Sequence, residues 1–555
     1  MSNTGNAQNK GRLPWIKLVL LGILGFCVIG FSLFWMKYGA IIGPLIYTPP
    51  WRKDFDAAQE NWSNNRSEGD RRILKAIKDA EASGASPLEK MGLHRDYANL
   101  LYRNGEYSRG HDEITAAIAE APKQLGPLEA DMLSHVYQDR GWEMHGEHND
   151  DPADPSGVED QEKSVAVCEK AFGPNSQQTL DKVAGLATIY AELGMKDKSE
   201  KALKRVIDAS EQVKACAACG WFGYAMKARI RAGEKDYKEA LKAYLHACSI
   251  AHSEAEQDRV WEEFTNGLYF KRPKVAPELV SVEPLLNKCK YKDLDALAAR
   301  LRKSGVQVAD GHWLLDDMYV LLEGADRRKR GKWQSDDTYQ QRIFDLGKWL
   351  KAEPKSPTAR VALADTYVEY AWFARGNGYA NTVTEKGGRI FHDRIKKSKE
   401  LLDADPSIRQ EDPRAYMVYG RIARAEGMDK GAYLKFVEAS HKDWPGYNGA
   451  DFGATQFLLP RWYGEPGETE AFINKRAATI GGTKGDMVRT QLACNIVNYL
   501  DDVFSEHSAL KWTDIKRGFI EVFKKYPDDM EMRVNYMQLA RPAGDEEGFE
   551  KVFDY

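Results

Sequence analysis

Residues 97–122 of the chain read YANLLYRNGEYSRGHDEITAAIAEAP. Small residues, one large apolar residue and a proline occupy six positions of this stretch, separated by 7, 5, 4, 3 and 5 residues. These positions are Ala98, Gly105, Gly110, Ile114, Ala117 and Pro122. Small side chains let the two helices of a hairpin approach closely, and a glycine closes the first helix. The spacing therefore predicts an α-helical hairpin.

The same spacing recurs in three other segments, 186–206, 226–247 and 419–440. Apolar residues throughout the chain recur at three- and four-residue intervals, and glycine or proline separates the helical runs. The sequence therefore predicts an all-α array of helical hairpins. The matching positions are Ala187, Gly194, Ser199, Leu203 and Val206, then Gly420, Gly427, Ala432, Phe436 and Ala439, and more loosely Ala228, Lys235, Ala240, Tyr244 and Ala247, with a glycine at 233.

These segments resemble the tetratricopeptide repeat, and the string FGPNS at 172–176 is similar to the longer repeats of kinesin light chain. The resemblance implies a solenoid that binds other polypeptides along one face of its stacked hairpins. A generic array of α-hairpins is the alternative, and it implies the same kind of surface. We expect repeats over residues 54–284 and C-terminal helices, with a closing repeat, over 481–555.

A long apolar run lies near the start of the chain. Residues 18–36 read LVLLGILGFCVIGFSLFWM without a charged residue, which is just long enough to cross a hydrocarbon core of about 30 Å. Basic residues precede it, which favours a cytoplasmic N-terminus. The run predicts a transmembrane helix between a cytoplasmic tail (1–17) and a connector (37–53). The chain is then a single-pass inner-membrane protein that contacts the lipid bilayer, with its bulk in the periplasm. A removable signal peptide and an inverted orientation are the alternatives.

The overall composition excludes two classes of protein. Lys and Arg number 79 against 83 Asp and Glu, a net charge of −4, and the mean hydropathy is −0.56. A nucleic-acid-binding protein would carry an excess of basic residues, so no nucleic-acid partner is predicted. A polytopic membrane protein would be far more apolar.

A second resemblance covers residues 285–480. The strings AWFARGNGYA at 371–380 and LPRWYG at 459–464 are similar to those of an uncharacterised bacterial family, a domain of unknown function found in envelope or repeat-containing proteins. The resemblance implies a shared helical architecture and no activity.

These two strings have two interpretations. In the first, their residues cap and pack helices, because glycines after a helix close it in the left-handed conformation. In the second, they form a polar pocket in which arginine forks bind an anion and tryptophan stacks beside it. The residues concerned are Arg375, Gly376, Asn377, Gly378, Tyr379, Asn381, Arg461 and Trp462.

Three cysteines form a candidate disulfide system. Cys216 and Cys219 have C-x-x-C spacing in a helical pattern without a second pair, so no metal site is predicted. A hairpin turn near residues 233–236 would place Cys219 and Cys248 at similar distances along facing helices. We therefore predict a disulfide from Cys216 or Cys219 to Cys248 in an oxidising compartment. Three buried thiols are the alternative.

The motifs of common enzymes do not occur in the chain, which lacks HExxH, GxSxG and P-loop sequences. No cofactor and no catalytic residue are predicted. The sequence favours a membrane-anchored helical-repeat scaffold that mediates protein–protein interaction at the cell envelope. The alternative is an enzyme, or a receptor for a small ligand or anion, with a pocket around Arg375, Tyr379, Arg461 and Trp462.

Overall fold

The fold is all-α in the residues that the computed structural model describes. One isolated antiparallel bridge, between Gln307 and Trp313, is the nearest approach to a sheet in this part of the chain. The all-α prediction is therefore confirmed. The described residues are 49–62, 66–103, 106–147, 157–212, 217–268, 275–324, 336–376, 383–500, 503–504 and 508–555.

The chain divides into two compact units. The first comprises Met1–Leu100 and Gly110–Gln124, and the second comprises Leu101–Arg109 and Leu125–Tyr555. In the first unit the half-buried Asp70 accepts hydrogen bonds from Trp62 Nε1 (2.6 Å) and Tyr97 Oη (2.8 Å). The helices of this unit are α1 (Pro50–Asn61), α2 (Arg66–Ala82) and most of α3 (Pro87–Arg103) and α4 (Tyr107–Ala119).

The second unit contains most of the chain and begins with three successive hairpins, α5/α6, α7/α8 and α9/α10, followed by α11. The helices of this first part are α5 (Pro127–Glu147), α6 (Val158–Phe172), α7 (Gln177–Glu192), α8 (Lys196–Gln212), α9 (Ala217–Gly233), α10 (Tyr237–Ile250) and α11 (Glu254–Leu268).

The α-helices in the described remainder of the second unit have 4 to 19 residues. They are α12 (Val282–Asn287), α13 (Tyr291–Ser304), α14 (Leu314–Leu322), α15 (Asp336–Ala352), α16 (Pro357–Arg375), α17 (Glu385–Asp403), α18 (Ile408–Glu411), α19 (Arg414–Glu426), α20 (Lys430–Asp443), α21 (Gly449–Phe457), α22 (Glu468–Ile480), α23 (Gly482–Cys494), α24 (Trp512–Lys525), α25 (Met530–Ala540) and α26 (Glu546–Glu550).

The hairpins form where the spacing predicts them. Gly194 and Gly427 follow α7 and α19 with φ of +70° and +72°, a conformation that glycine adopts without strain. Across the first hairpin, Ser199 Oγ donates a hydrogen bond to the backbone oxygen of Ala187 at 2.9 Å. In the second, a Cβ atom on Gly420 would lie only 3.0 Å from Tyr433 Oη. Small residues thus allow the close helix contacts, and the repeat-like helical architecture is confirmed.

The C-terminal helices share a hydrophobic core with the hairpin α9/α10. Tyr237 at the start of α10 stacks on Phe553 with ring centroids 4.6 Å apart, and Tyr244 stacks on Phe549 at 5.8 Å. Buried residues of α23, α24 and α25 belong to the same core. Elements that are distant in the sequence therefore complete one another's packing within this unit.

The prediction of a membrane anchor is corrected. Among the described helices, none combines the length and the apolar character that a bilayer crossing requires. The longest, α5, has 21 residues but carries acidic and basic side chains along its length, which are costly in hydrocarbon. The predicted span, 18–36, lies outside the described residues. The fold class is therefore an all-α repeat-like array. The single-pass inner-membrane location, the periplasmic bulk and the bilayer as a partner are not retained.

The predicted boundaries 54–284, 285–480 and 481–555 stay a prediction. The tail at 1–17 and the connector at 37–53, except its last five residues, lie outside the described part of the chain.

Candidate functional site

Alternate helices of the hairpin array line one groove in the second unit. The helices α5, α7, α9 and α11 each contribute residues to it, and it encloses a cavity of about 480 Å³. Because α5, α7 and α9 are each the first helix of a hairpin, the groove runs along one side of the stacked hairpins. Its lining is His135, Gln138, Trp142, Asp181, Lys182, Gly185, Thr188, Phe222, Met226, Arg229, Arg259, Glu262, Glu263 and Asn266.

Lys182 is a buried cation on the floor of this groove, with 4% of its surface exposed. Its Nζ donates to Gln138 Oε1 at 2.6 Å, and no carboxylate of the described residues lies within ion-pair distance. Burial lowers the pKa of Lys182, and only more distant acidic groups oppose the shift. A buried ammonium held by a neutral amide can still attract an anionic group.

Arg229 supplies a second cation, which is already neutralised. Its Nη1 lies 2.8 Å from Glu263 Oε2, its Nη2 lies 3.7 Å from Glu192 Oε1, and its guanidinium lies 6.0 Å from the Trp142 ring. These contacts join α7, α9 and α11, so they hold the walls of the groove together. The two cations thus differ, because Arg229 is paired with carboxylates and Lys182 has no carboxylate partner in the described part of the chain.

Gly185 keeps the floor of the groove open. A Cβ atom at this position would lie 3.2 Å from Gln138 Nε2 and 3.9 Å from the Trp142 ring. Phe222 and Met226 of α9 add apolar surface beside it. The groove therefore offers charged, aromatic and aliphatic groups together, as polypeptide-binding surfaces do.

The sequence analysis missed this groove. Lys182 lies among apolar residues in the run LDKVAGLA (180–187), and this placement is the signal that could have marked it as buried. An exposed lysine on a helix surface can have the same local sequence, however. Its burial therefore becomes visible only from the positions of the neighbouring helices.

The residues of the two sequence strings lie in several places. Arg375 is the last residue of α16, and its guanidinium lies 5.3 Å from the Trp372 ring and 5.9 Å from the Trp462 ring. Gly376 follows with φ +76° and ends the helix. Arg461 is exposed and lies 5.9 Å from the Tyr499 ring. The structure thus brings Arg375 and Trp462 together, whereas Asn377, Gly378, Tyr379 and Asn381 lie outside the described residues.

A network of buried charges lies close to these strings. Arg414 is buried and contacts Asp365 (2.8 Å), Glu323 (3.2 Å) and Asp316 (3.3 Å). Tyr447 Oη donates to Asp316 at 2.8 Å. Although burial opposes ionisation, the charge of Arg414 holds the pKa of Asp365 below its ordinary value. Every member is enclosed in the core, so this network fixes how α14, α16 and α19 pack.

The candidate disulfide is only partly described. Cys248 is half-buried and forms no disulfide with another cysteine whose side chain the structure describes. Burial raises its pKa, and the hydroxyl of Tyr244 shares a hydrogen bond with it. Cys216 and the side chain of Cys219 lie outside the described part, so the pairing stays a prediction.

Comparisons with known proteins give little on function. No family model matches the chain, and no curated protein matches it. One similar solved structure is a circular tandem repeat protein with novel repeat topology and enhanced subunit contact surfaces. It is 11% identical over 91% of this chain and 96% of that chain, with a TM-score of 0.15. So low a TM-score carries no inference about this protein, whose repeat-like architecture rests on its own helices.

Proposed function

We propose that the protein is a helical-repeat scaffold that binds a polypeptide segment of another protein in the groove of α5, α7, α9 and α11. The observation that carries this proposal is the alignment of alternate helices along one cavity, with Lys182 at its floor. Stacked hairpins present such a surface continuously, and extended segments bind along it.

The chemistry of the lining indicates what the segment carries. Lys182 accepts an acidic side chain of the segment, because its close partner among the described residues is a neutral amide. Trp142 and Phe222 accept an apolar or aromatic side chain beside it. The segment is therefore one in which an acidic residue neighbours an apolar one.

The tetratricopeptide character of the hairpins is part of the proposal. Its support is the small residues at the hairpin contacts, Ala187 against Ser199 and Gly420 against Tyr433. No family model adds to this support. The binding role does not depend on the assignment, because a generic hairpin array presents the same groove.

A selection for peptide ligands tests the proposal. A library of random peptides displayed on phage is selected against the full chain, and the affinity of each enriched peptide is measured by fluorescence anisotropy. The variant Gly185→Leu fills the groove, and Lys182→Met removes its unpaired cation. We expect each to weaken binding at least about tenfold.

Lys204→Met is the matched control. Lys204 is exposed on α8 and pairs with Asp208 at 3.1 Å, away from the groove. This variant should bind as the wild type does. Enrichment of no peptide, or binding that survives Gly185→Leu unchanged, contradicts the proposal.

A further inference from the structure

Two arginines lie over the same pair of tryptophan rings in the second unit. Trp372 of α16 and Trp462, between α21 and α22, meet edge to face with ring centroids 5.7 Å apart. The guanidinium of Arg424 lies 5.4 Å from the first ring and 5.2 Å from the second, and that of Arg375 lies over both rings as well. The aromatic faces therefore hold two positive charges close together.

Arg424 has no carboxylate partner in the described part of the chain. Its Nη1 donates to the amide oxygen of Gln456, and its Nε is buried without a hydrogen-bond partner among those residues. Burial, and then the neighbouring charge of Arg421, lower the pKa of Arg424 to about 10. A guanidinium that loses water without gaining a counter-ion is costly to the fold.

Three other arginines of this part of the second unit are paired with acids, and Arg424 differs from them. The pairs join Arg302 to Asp412, Arg414 to Asp316, Glu323 and Asp365, and Arg421 to Asp365 and Glu369. The described part of this core thus supplies acids to Arg302, Arg414 and Arg421 and none to Arg424.

A second donor at the same place also lacks an acceptor. The indole Nε1 of Trp372 is buried and makes no hydrogen bond to any residue that the structure describes. Buried donors are paired in nearly all native structures, so an unpaired one indicates a missing acceptor. Here the unpaired N–H of Trp372 and the unpaired Nε of Arg424 belong to one cluster.

We propose that this cluster, formed by Trp372, Arg375, Arg424 and Trp462, binds an oxyanion, either a carboxylate or a phosphate group. The guanidinium groups neutralise its charge and donate to its oxygens, as arginine forks do. The tryptophan rings enclose the bound group and exclude water, which strengthens both interactions. The cluster is separate from the polypeptide groove, so the two proposals stand independently.

Thermal unfolding of the full chain in different salts tests the site. The midpoint is measured in sodium chloride, sodium acetate and sodium phosphate at equal ionic strength and pH 7. An anion that binds the folded state raises the midpoint by about 2 °C at about ten times its Kd. A rise in acetate indicates a carboxylate ligand, and a rise in phosphate indicates a phosphate ligand.

The variant Arg424→Met separates an anion site from a structural arginine. Methionine covers the tryptophan rings without burying a charge. In chloride the midpoint should therefore stay unchanged or rise, and the effect of the binding anion should be lost. Arg375→Met, which changes a residue at the end of α16, should also remove the anion effect while the protein stays folded.

Arg389→Met is the matched control, because Arg389 is exposed on α17 and pairs with Glu385 at 2.6 Å. It should respond to the anion as the wild type does. The proposal is overturned if neither anion raises the midpoint above that in chloride, or if the rise persists in both Arg424→Met and Arg375→Met.

Discussion

Ser199 on α8 donates its hydroxyl to the backbone oxygen of Ala187 on α7, across 2.9 Å. Both residues are buried, and both are small. The hydrogen bond gives the buried hydroxyl of Ser199 a partner. The small side chains of Ser199 and Ala187 let the two helices approach closely. Two positions of the sequence spacing, Ala187 and Ser199, are thus the residues at which the helices of the hairpin meet.

Substitutions at Ser199 should show that size matters more than the hydrogen bond. Ser199→Ala should lower the free energy of unfolding by about 1 kcal/mol. Ser199→Leu should lower it by about 1–3 kcal/mol more, because a larger side chain forces the helices apart. Chemical denaturation monitored by circular dichroism checks both. Equal losses in the two variants would show that close packing is not limiting here.

Loss of Arg414 should destabilise the second unit strongly. Arg414→Met leaves Asp316, Glu323 and Asp365 buried without their common cation. Breaking such a network costs about 3–5 kcal/mol. The control Arg517→Met removes a half-exposed arginine that pairs with Asp486, and its cost should stay below about 1 kcal/mol. Urea titration measures both; similar losses would contradict the assigned role.

The carboxyl pair Glu323 and Asp365 should make stability depend on pH. Burial, and then the charge of Asp365, raises the pKa of Glu323 well above its ordinary value. Above the pH at which Glu323 ionises in the unfolded chain, folding takes up a proton, so this residue's contribution to stability falls as pH rises. Glu323→Gln should remove that decline, because glutamine is neutral and keeps the shape.

Asp365 supplies the contrasting variant in the same pair. Burial opposes its ionisation, but Arg414 and Arg421 hold its pKa below the ordinary value, so its contribution is present at neutral pH and is lost in acid. Asp365→Asn should cost about 3 kcal/mol at pH 7. Unfolding curves from about pH 2 to pH 8 compare the two variants, because the loss expected for Asp365 occurs below its ordinary pKa of 3.8. A parallel response in both variants would contradict the assignment of charges.

The buried charge of Lys182 should lower the free energy of unfolding of the unliganded protein. Burial lowers its pKa below the ordinary value of 10.5. Between the lowered pKa and 10.5 the unfolded chain binds more protons, so stability should rise with pH in that range. Lys182→Met should raise the free energy of unfolding at pH 7 by roughly 1 kcal/mol and remove the rise. Denaturation at pH 7 and at alkaline pH measures it. A destabilised Lys182→Met would indicate a structural lysine.

Local features of the fold follow from the sequence, whereas the contacts between distant elements do not. Gly194 and Gly427 end helices where the spacing places them, because a left-handed cap is a property of a few neighbouring residues. Arg414 and Asp365 meet through the packing of α19 on α16. No periodicity in a single sequence encodes that meeting.

The candidate sites divide in the same way. The two sequence strings contain Arg375 and Trp462, and in the structure the guanidinium carbon of Arg375 lies 5.9 Å from the centre of the Trp462 ring. Arg424 lies in an ordinary helical run of the sequence and gives no signal there, because whether a described acid lies beside it depends on the folded core. The chain's apolar start predicted an anchor, and no described helix can span a bilayer.

The stacking of Tyr237 on Phe553 has a consequence for biosynthesis. On the ribosome, α9 and α10 emerge long before the residues that cover part of their core. Those apolar side chains of α9 and α10 that pack against α24–α26 therefore stay exposed until these C-terminal helices have been synthesised. Only then do the long-range contacts bury them. In an open repeat array each hairpin folds against the one before it, whereas this part of the protein cannot complete its core one hairpin at a time. We therefore expect the nascent chain to expose apolar surface of the kind that chaperones bind.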